Sequence, residues 1–193
     1  MIRNRYGGDK TVLNMLEALV AKGYQPTFVS DMDGVLADFD DRTDGWIEKH
    51  TQPGHYISLP EYRRGVEFIN QVAEILGWEN IYICSASPNM YADHDKLVWL
   101  ARYLPKLHPE NIMIVRVGTN KAVHMRNLIT AHGKDANLAM LMDDYGKNLR
   151  QWWEAWNADP AEKVIASPTI KAKNPYNCKG YTSVPPYPIV EVT

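Results

Sequence analysis

Short apolar runs alternate with amphipathic segments along most of this chain, and that alternation constrains its fold more than any other feature. Residues 11–22 place Val12, Leu13, Leu16, Leu19 and Val20 on one helical face, and Gly23 follows as a stop signal. The β-branched and aromatic run Thr27-Phe28-Val29-Ser30 comes next and predicts a strand. The pattern then repeats. A helix over 60–77 would turn Val66, Phe68, Ile69, Val72, Ile75 and Leu76 inward, ahead of a strand over 81–84 and a helix over 94–104. Strands over 112–115, 138–142 and 163–166 are interleaved with helices over 120–132 and 146–157. Short apolar strands separated by amphipathic helices predict a parallel sheet covered on both faces, a doubly wound α/β fold. In such sheets ligands bind beyond the carboxyl ends of the strands, where the strand order reverses.

Two stretches depart from the pattern. Residues 41–59 carry Gly45, Pro53 and Gly54 and read as a short lid insertion, while 167–193 hold five prolines and read as an extended C-terminal tail. Residues 1–166 are therefore expected to form a single domain. With 193 residues, 45% of them hydrophobic and 23% charged, the chain can bury a sizeable core unaided. A net charge of −2 gives no bulk attraction to nucleic acid. No apolar run approaches the length of a membrane span, and the basic start Met1-Ile2-Arg3-Asn4-Arg5 is not followed by an apolar stretch. A cytoplasmic protein without a membrane partner is the expectation. The two cysteines, Cys84 and Cys178, do not form a disulfide framework or a zinc site, and Cys84 lies in an apolar run where a thiol acts as a small hydrophobe. Asp93-His94-Asp95 reads as a cap for a helix starting near Asp95. Trp152, Trp153 and Trp156, one and four residues apart on one helix, read as packing residues.

The residues that carry chemistry sit at strand ends. Asp31-Met32-Asp33-Gly34-Val35-Leu36-Ala37-Asp38 directly follows the first strand, so two carboxylates lie on a tight turn that Gly34 makes accessible. Ser85 ends the second strand and can donate to a phosphate oxygen. Lys121 opens the helix after the third strand, where a cation can neutralise phosphate charge. Asp143-Asp144 ends the fourth strand and offers hard oxygen ligands to a divalent cation. Singly, each has a plainer reading as a helix cap or a solvated side chain. In this chain order they form a constellation.

These motifs, with Phe39 and the run Ile83-Cys84-Ser85, resemble the four motifs of the haloacid dehalogenase superfamily. The first of them most resembles that of the 5'(3')-deoxyribonucleotidases, and the likeness spans roughly residues 25–158. The resemblance implies a Rossmann-like core and a Mg²⁺-dependent phosphohydrolase. Asp31 would be the nucleophile that forms an aspartyl-phosphate, and Asp33 the general acid and base. Mg²⁺ would be held by Asp31, the Asp33 carbonyl and Asp143, with Asp144 supporting. Ser85 and Lys121 would bind the phosphoryl group, with Ser87 sharing the role of Ser85. The family inserts a helical cap after its first motif. Here 41–59 fill that gap as a reduced lid, in which Trp46, His55 and Tyr56 are the candidates to touch a substrate. The implied partner is a small phosphorylated molecule, first of all a nucleoside monophosphate. A sugar phosphate, a nucleic-acid end, or a phosphate-binding or signalling domain without turnover are the alternatives. Receiver domains carry a similar set of residues in a different chain order, with the acidic pair after the first strand and the single phosphorylated Asp later.

Overall fold

A computed structural model describes residues 8–39, 46–156, 169–172 and 189–192. Its elements in chain order are α1 (Gly8–Ala21), β1 (Thr27–Ser30), α2 (Trp46–His50), α3 (Arg63–Leu76), β2 (Ile81–Ser87) and α4 (Met90–Tyr103). They continue with β3 (Ile112–Arg116), α5 (Lys121–Ala131), β4 (Ala139–Asp143), α6 (Gly146–Trp156), β5 (Thr169–Ala172) and β6 (Ile189–Val192). All pairings are parallel, and the strand order is β3-β2-β1-β4-β5-β6. The chain is thus an α/β protein with a Rossmann-like parallel sheet.

The period-2 alternation of each strand sends successive side chains to opposite faces. Phe28, Ile81, Ile83, Met140 and Met142 meet Val12 and Leu16 of α1, Val66, Ile69 and Val72 of α3, and Trp99 and Leu100 of α4. Val29, Tyr82, Cys84 and Leu141 meet Met125 and Ile129 of α5 and Leu149 and Trp152 of α6 on the other face. Cys84 is a buried small hydrophobe, as expected, and burial pushes its thiol up to about 12. Trp152 is fully buried and Trp153 packs against the same cluster, in line with a packing role. The side chain of Trp156 and the strand expected over 163–166 lie outside the described residues.

Some boundaries differ from those the sequence predicts. β2 runs on to Ser87, and α4 begins at Met90, five residues before the predicted start near Asp95. The cap of α4 is Asn89, whose side-chain oxygen accepts from the Ala92 amide at 3.0 Å, so Asp93 and Asp95 lie inside the helix. The region from 167 onward was expected to be an extended tail. Its segments Thr169–Ala172 and Ile189–Val192 are extended, but they pair as β5 on β4 and β6 on β5. Among the described residues, no helix is long and apolar enough to cross a membrane.

The order reverses beside β1, because the chain moves outward through β2 and β3 before β4 joins β1 on its other side. The crevice this creates lies at the carboxyl ends of β1 and β4, where Asp31 and Asp143 stand. The Asp31 amide donates to the Met142 carbonyl at 2.9 Å and carries the pairing one residue past β1. The turn that follows is tight. The Met32 carbonyl accepts from Leu36 at 2.8 Å and Ala37 at 2.9 Å, with Gly34 at φ 70°. Gly65, in the first turn of α3, locks this turn in place: a Cβ there would lie 2.1 Å from the Val35 carbonyl oxygen. Gly65→Ala would gain about 1 kcal/mol in helix propensity. The backbone overlap outweighs that gain, and a net loss of about 1–3 kcal/mol is expected in urea unfolding.

Candidate active site

Four carboxylates and two ammonium groups converge at the carboxyl ends of β1, β2 and β4. Asp31, Asp143 and Asp144 are buried, and each presents an oxygen within 4.8 Å of the others'. Lys121, the first residue of α5, reaches into this group with its Nζ 2.7 Å from Asp31 Oδ2 and 3.3 Å from Asp143 Oδ2. Asn120 fixes the start of that helix by accepting from the Ala122 amide. Burial works against the charge on Lys121, but Asp143 and Asp31 outweigh it and raise its pKa. Burial raises the pKa of Asp143; Lys121 opposes that shift, while Asp31 and Asp144 add to it.

Asp33 belongs to a second, adjoining arrangement. Its Oδ2 is paired with Lys96, which is fully buried and also donates to Ser85 Oγ at 2.8 Å and to the Ala86 carbonyl at 2.6 Å. Burial raises the pKa of Asp33; Lys96 pulls against this and Asp31 adds to it. The structure therefore brings together Asp31, Asp33, Ser85, Lys121, Asp143 and Asp144. Ser87, two residues further along β2, has other partners: its hydroxyl donates to the Asn89 carbonyl at 2.8 Å and accepts from Arg116 Nη1 at 3.4 Å.

Sequence reasoning missed Lys96 and Asn148. Lys96 had a signal. It falls on the face of α4 that also carries Ala92, Trp99 and Leu100, and a lysine on a buried helical face needs a buried anion. Asn148 donates to Asp143 Oδ2 at 2.9 Å, while the Tyr145 amide donates to Oδ1 at 2.8 Å. Nothing in the sequence separates Asn148 from an ordinary exposed residue of a helix's first turn.

Trp46 opens α2, but its side chain lies outside the described residues. Tyr56 is buried, its ring stacked with Phe39 at 5.9 Å and 8°, with Lys96 Nζ 4.4 Å from the centroid. Tyr56 thus covers the cation that holds Asp33. His55, half-buried, packs edge-on against Tyr56 and beside His50. The segment from Thr51 to Leu59 is tied to α4 by Asn89 Nδ2 donating to the Thr51 carbonyl and by Trp99 Nε1 donating to the Leu59 carbonyl.

Burial and the nearby cations of His55, Lys49 and Lys96 lower the pKa of His50 to about 4. The folded state thus binds the His50 proton less readily than the unfolded chain does. The stability this contributes is complete above pH 6.5 and is lost as pH falls toward 4. Tm followed from about pH 7 to about pH 4 is expected to drop more steeply in the native protein than in His50→Phe.

Three carboxylates with no histidine or cysteine among them suit a hard divalent cation. A buried acidic cluster of this kind at a topological switch point is compatible with a phosphohydrolase. No family model matches the chain, and no curated protein matches it. One solved structure that resembles it is a chain of the Pnkp1/Rnl/Hen1 complex, at 12% identity and a TM-score of 0.45. The alignment covers 77% of this chain and 46% of that one, so the chain spans less than half the length of this neighbour.

Proposed function

We propose that the chain is a Mg²⁺-dependent phosphomonoester hydrolase of the haloacid dehalogenase type, acting through an aspartyl-phosphate on nucleoside monophosphates. The observation that carries this reading is the placement of Asp31. It ends the central strand with one oxygen on Lys121, shares a metal-sized cluster with Asp143 and Asp144, and is two residues from a second acid held by its own lysine.

In the first step a carboxylate oxygen of Asp31 attacks phosphorus, and the bond to the ester oxygen breaks. The electron pair leaves with that oxygen, which takes the proton of Asp33. A raised pKa suits Asp33 to donate this proton, and Lys96 on Oδ2 fixes the carboxyl's orientation. In the second step water loses a proton to Asp33 and attacks phosphorus, releasing inorganic phosphate and restoring the Asp31 carboxylate. Lys121 would neutralise, and Ser85 would donate to, the equatorial oxygens as charge spreads over them. Asp31, Asp143 and Asp144 would hold the Mg²⁺, which when bound screens the phosphate's charge from the nucleophile's.

The test is phosphate release from a panel of nucleoside monophosphates, sugar phosphates and an aryl phosphate. Turnover is expected with Mg²⁺, is abolished by EDTA and returns when Mg²⁺ is restored. Full activity in chelator would refute the metal role, and activity confined to a sugar phosphate would refute the nucleotide assignment.

A further inference from the structure

Among the described residues, the large hydrophobic side chains left exposed are unevenly distributed. Five of the seven, Met90 (71%), Tyr91 (52%), Val117 (58%), Val123 (50%) and Tyr145 (47%), lie in the turns or first helical turns that follow the carboxyl ends of β2, β3 or β4; Val20 and Leu97 lie farther along α1 and α4. Three of the five form one neighbourhood. The Val117 amide donates to the Ser87 carbonyl at 3.2 Å, which ties the turn after β3 to the end of β2, a few residues before the start of α4 at Met90 and Tyr91. Arg116 lies beside them, its guanidinium gripping Asp93 of α4 through Nη1 and Nη2 and reaching Ser87 Oγ. These contacts leave part of the five-donor guanidinium fork, on an exposed side chain, for a ligand. Ser85, two residues before Ser87 on β2, belongs to the acidic site itself.

We propose that this β2–β3 rim is the leaving-group subsite: Met90, Tyr91 and Val117 take a nucleobase, and Arg116 takes a second phosphate. The lid cannot supply the stacking surface through Tyr56, whose ring is committed to Phe39 and Lys96. An exposed tyrosine flanked by aliphatic side chains is a sequence-tolerant platform for a base, and an exposed arginine fits a phosphate. The substrate class is accordingly a nucleoside with one terminal phosphomonoester and a further phosphate, whether a nucleoside bisphosphate or the end of an oligonucleotide. The proposal rests on the phosphohydrolase reading above and deepens it.

Steady-state kinetics with a nucleoside 5'-monophosphate, a nucleoside 3',5'-bisphosphate and a 5'-phosphorylated dinucleotide test it. The second and third are expected to show a KM roughly tenfold below the first, the effect of one good phosphate contact. Tyr91→Ala and Arg116→Met should each raise the KM for these two substrates by roughly tenfold with kcat held within about twofold, and Arg116→Lys should recover part of the loss. Val20→Ser, at an exposed apolar position on α1 distant in sequence from the rim, serves as the unaltered control. A bisphosphate KM below the dinucleotide KM identifies the free nucleotide as the source, and the reverse identifies a strand end. Equal KM for all three substrates, or KM unmoved in Tyr91→Ala and Arg116→Met, overturns the proposal. Titration calorimetry with the bisphosphate and monophosphate reads the subsite without turnover. Tighter bisphosphate binding with no phosphate release from any substrate would overturn the hydrolase reading and leave the subsite standing.

Discussion

Asp31→Asn should abolish phosphate release, with a loss greater than about 10³-fold, while the protein remains folded. The carboxylate supplies the oxygen in the bond that forms, and an amide oxygen is too weak a nucleophile to replace it. The fold tolerates the change because the amide is nearly isosteric. The substituted side chain can still accept from the Met32 amide, as Asp31 Oδ1 does at 2.7 Å, or meet Lys121 through its oxygen. Part of the loss reflects charge, since Lys121 would then face Asp143 as its remaining anion. Two measurements separate the roles. Rapid quenching of the native enzyme with substrate should trap a phosphoryl adduct on Asp31 by mass spectrometry, and Asp31→Asn should show none. A native Tm in the variant, together with retained substrate binding, assigns the loss to chemistry. Near-normal turnover in purified Asp31→Asn would remove the nucleophile assignment altogether.

The fold and much of the site could be read from the sequence because both are written in local pattern. Short apolar strands between amphipathic helices have few packings, so the parallel sheet followed from periodicity alone. Asp31, Asp33, Lys121, Asp143 and Asp144 stand at or soon after strand ends and Ser85 lies two residues short of one, and the doubly wound rule places strand ends together. What could not be read depends on contacts distant in the chain. Lys96 is paired across 63 positions with Asp33, and its position on a buried helical face could have exposed it. Tyr56 looked like a surface aromatic in an irregular segment, because no local signal reveals that Phe39 and Lys96 meet its ring. The strands at 169–172 and 189–192 were hidden by the prolines between them, which punctuate local structure but do not prevent short parallel strands from docking on β4 and on each other.

Lys96→Met should be the most damaging substitution for stability and activity together. Methionine approximates the lysine stem in volume and would keep its packing under the Tyr56 ring, so the effect isolates the ammonium. Three acceptors lose their donor at once: Asp33 Oδ2, Ser85 Oγ and the Ala86 carbonyl. Lys121 acts on Asp33 more weakly than Lys96 does, and Asp33 Oδ1 is buried without a hydrogen-bond partner among the described residues. Removing one member of a buried ion pair costs about 3–5 kcal/mol, because the other charge stays behind. Asp33 can escape part of that cost by holding a proton, since burial already favours its neutral form. The denaturation midpoint of Lys96→Met should therefore fall sharply at about pH 8 and much less at about pH 5, where the carboxyl protonates more readily. Turnover should fall as well, by about 10²–10⁴-fold, because an acid with no fixed orientation no longer meets the leaving oxygen. Lys96→Arg restores the charge but not the compact three-way geometry, so it should recover stability more than rate. A Lys96→Met protein with native stability at about pH 8 and native kcat would show that Asp33 needs no partner, and the two-lysine description of the site would fall with it.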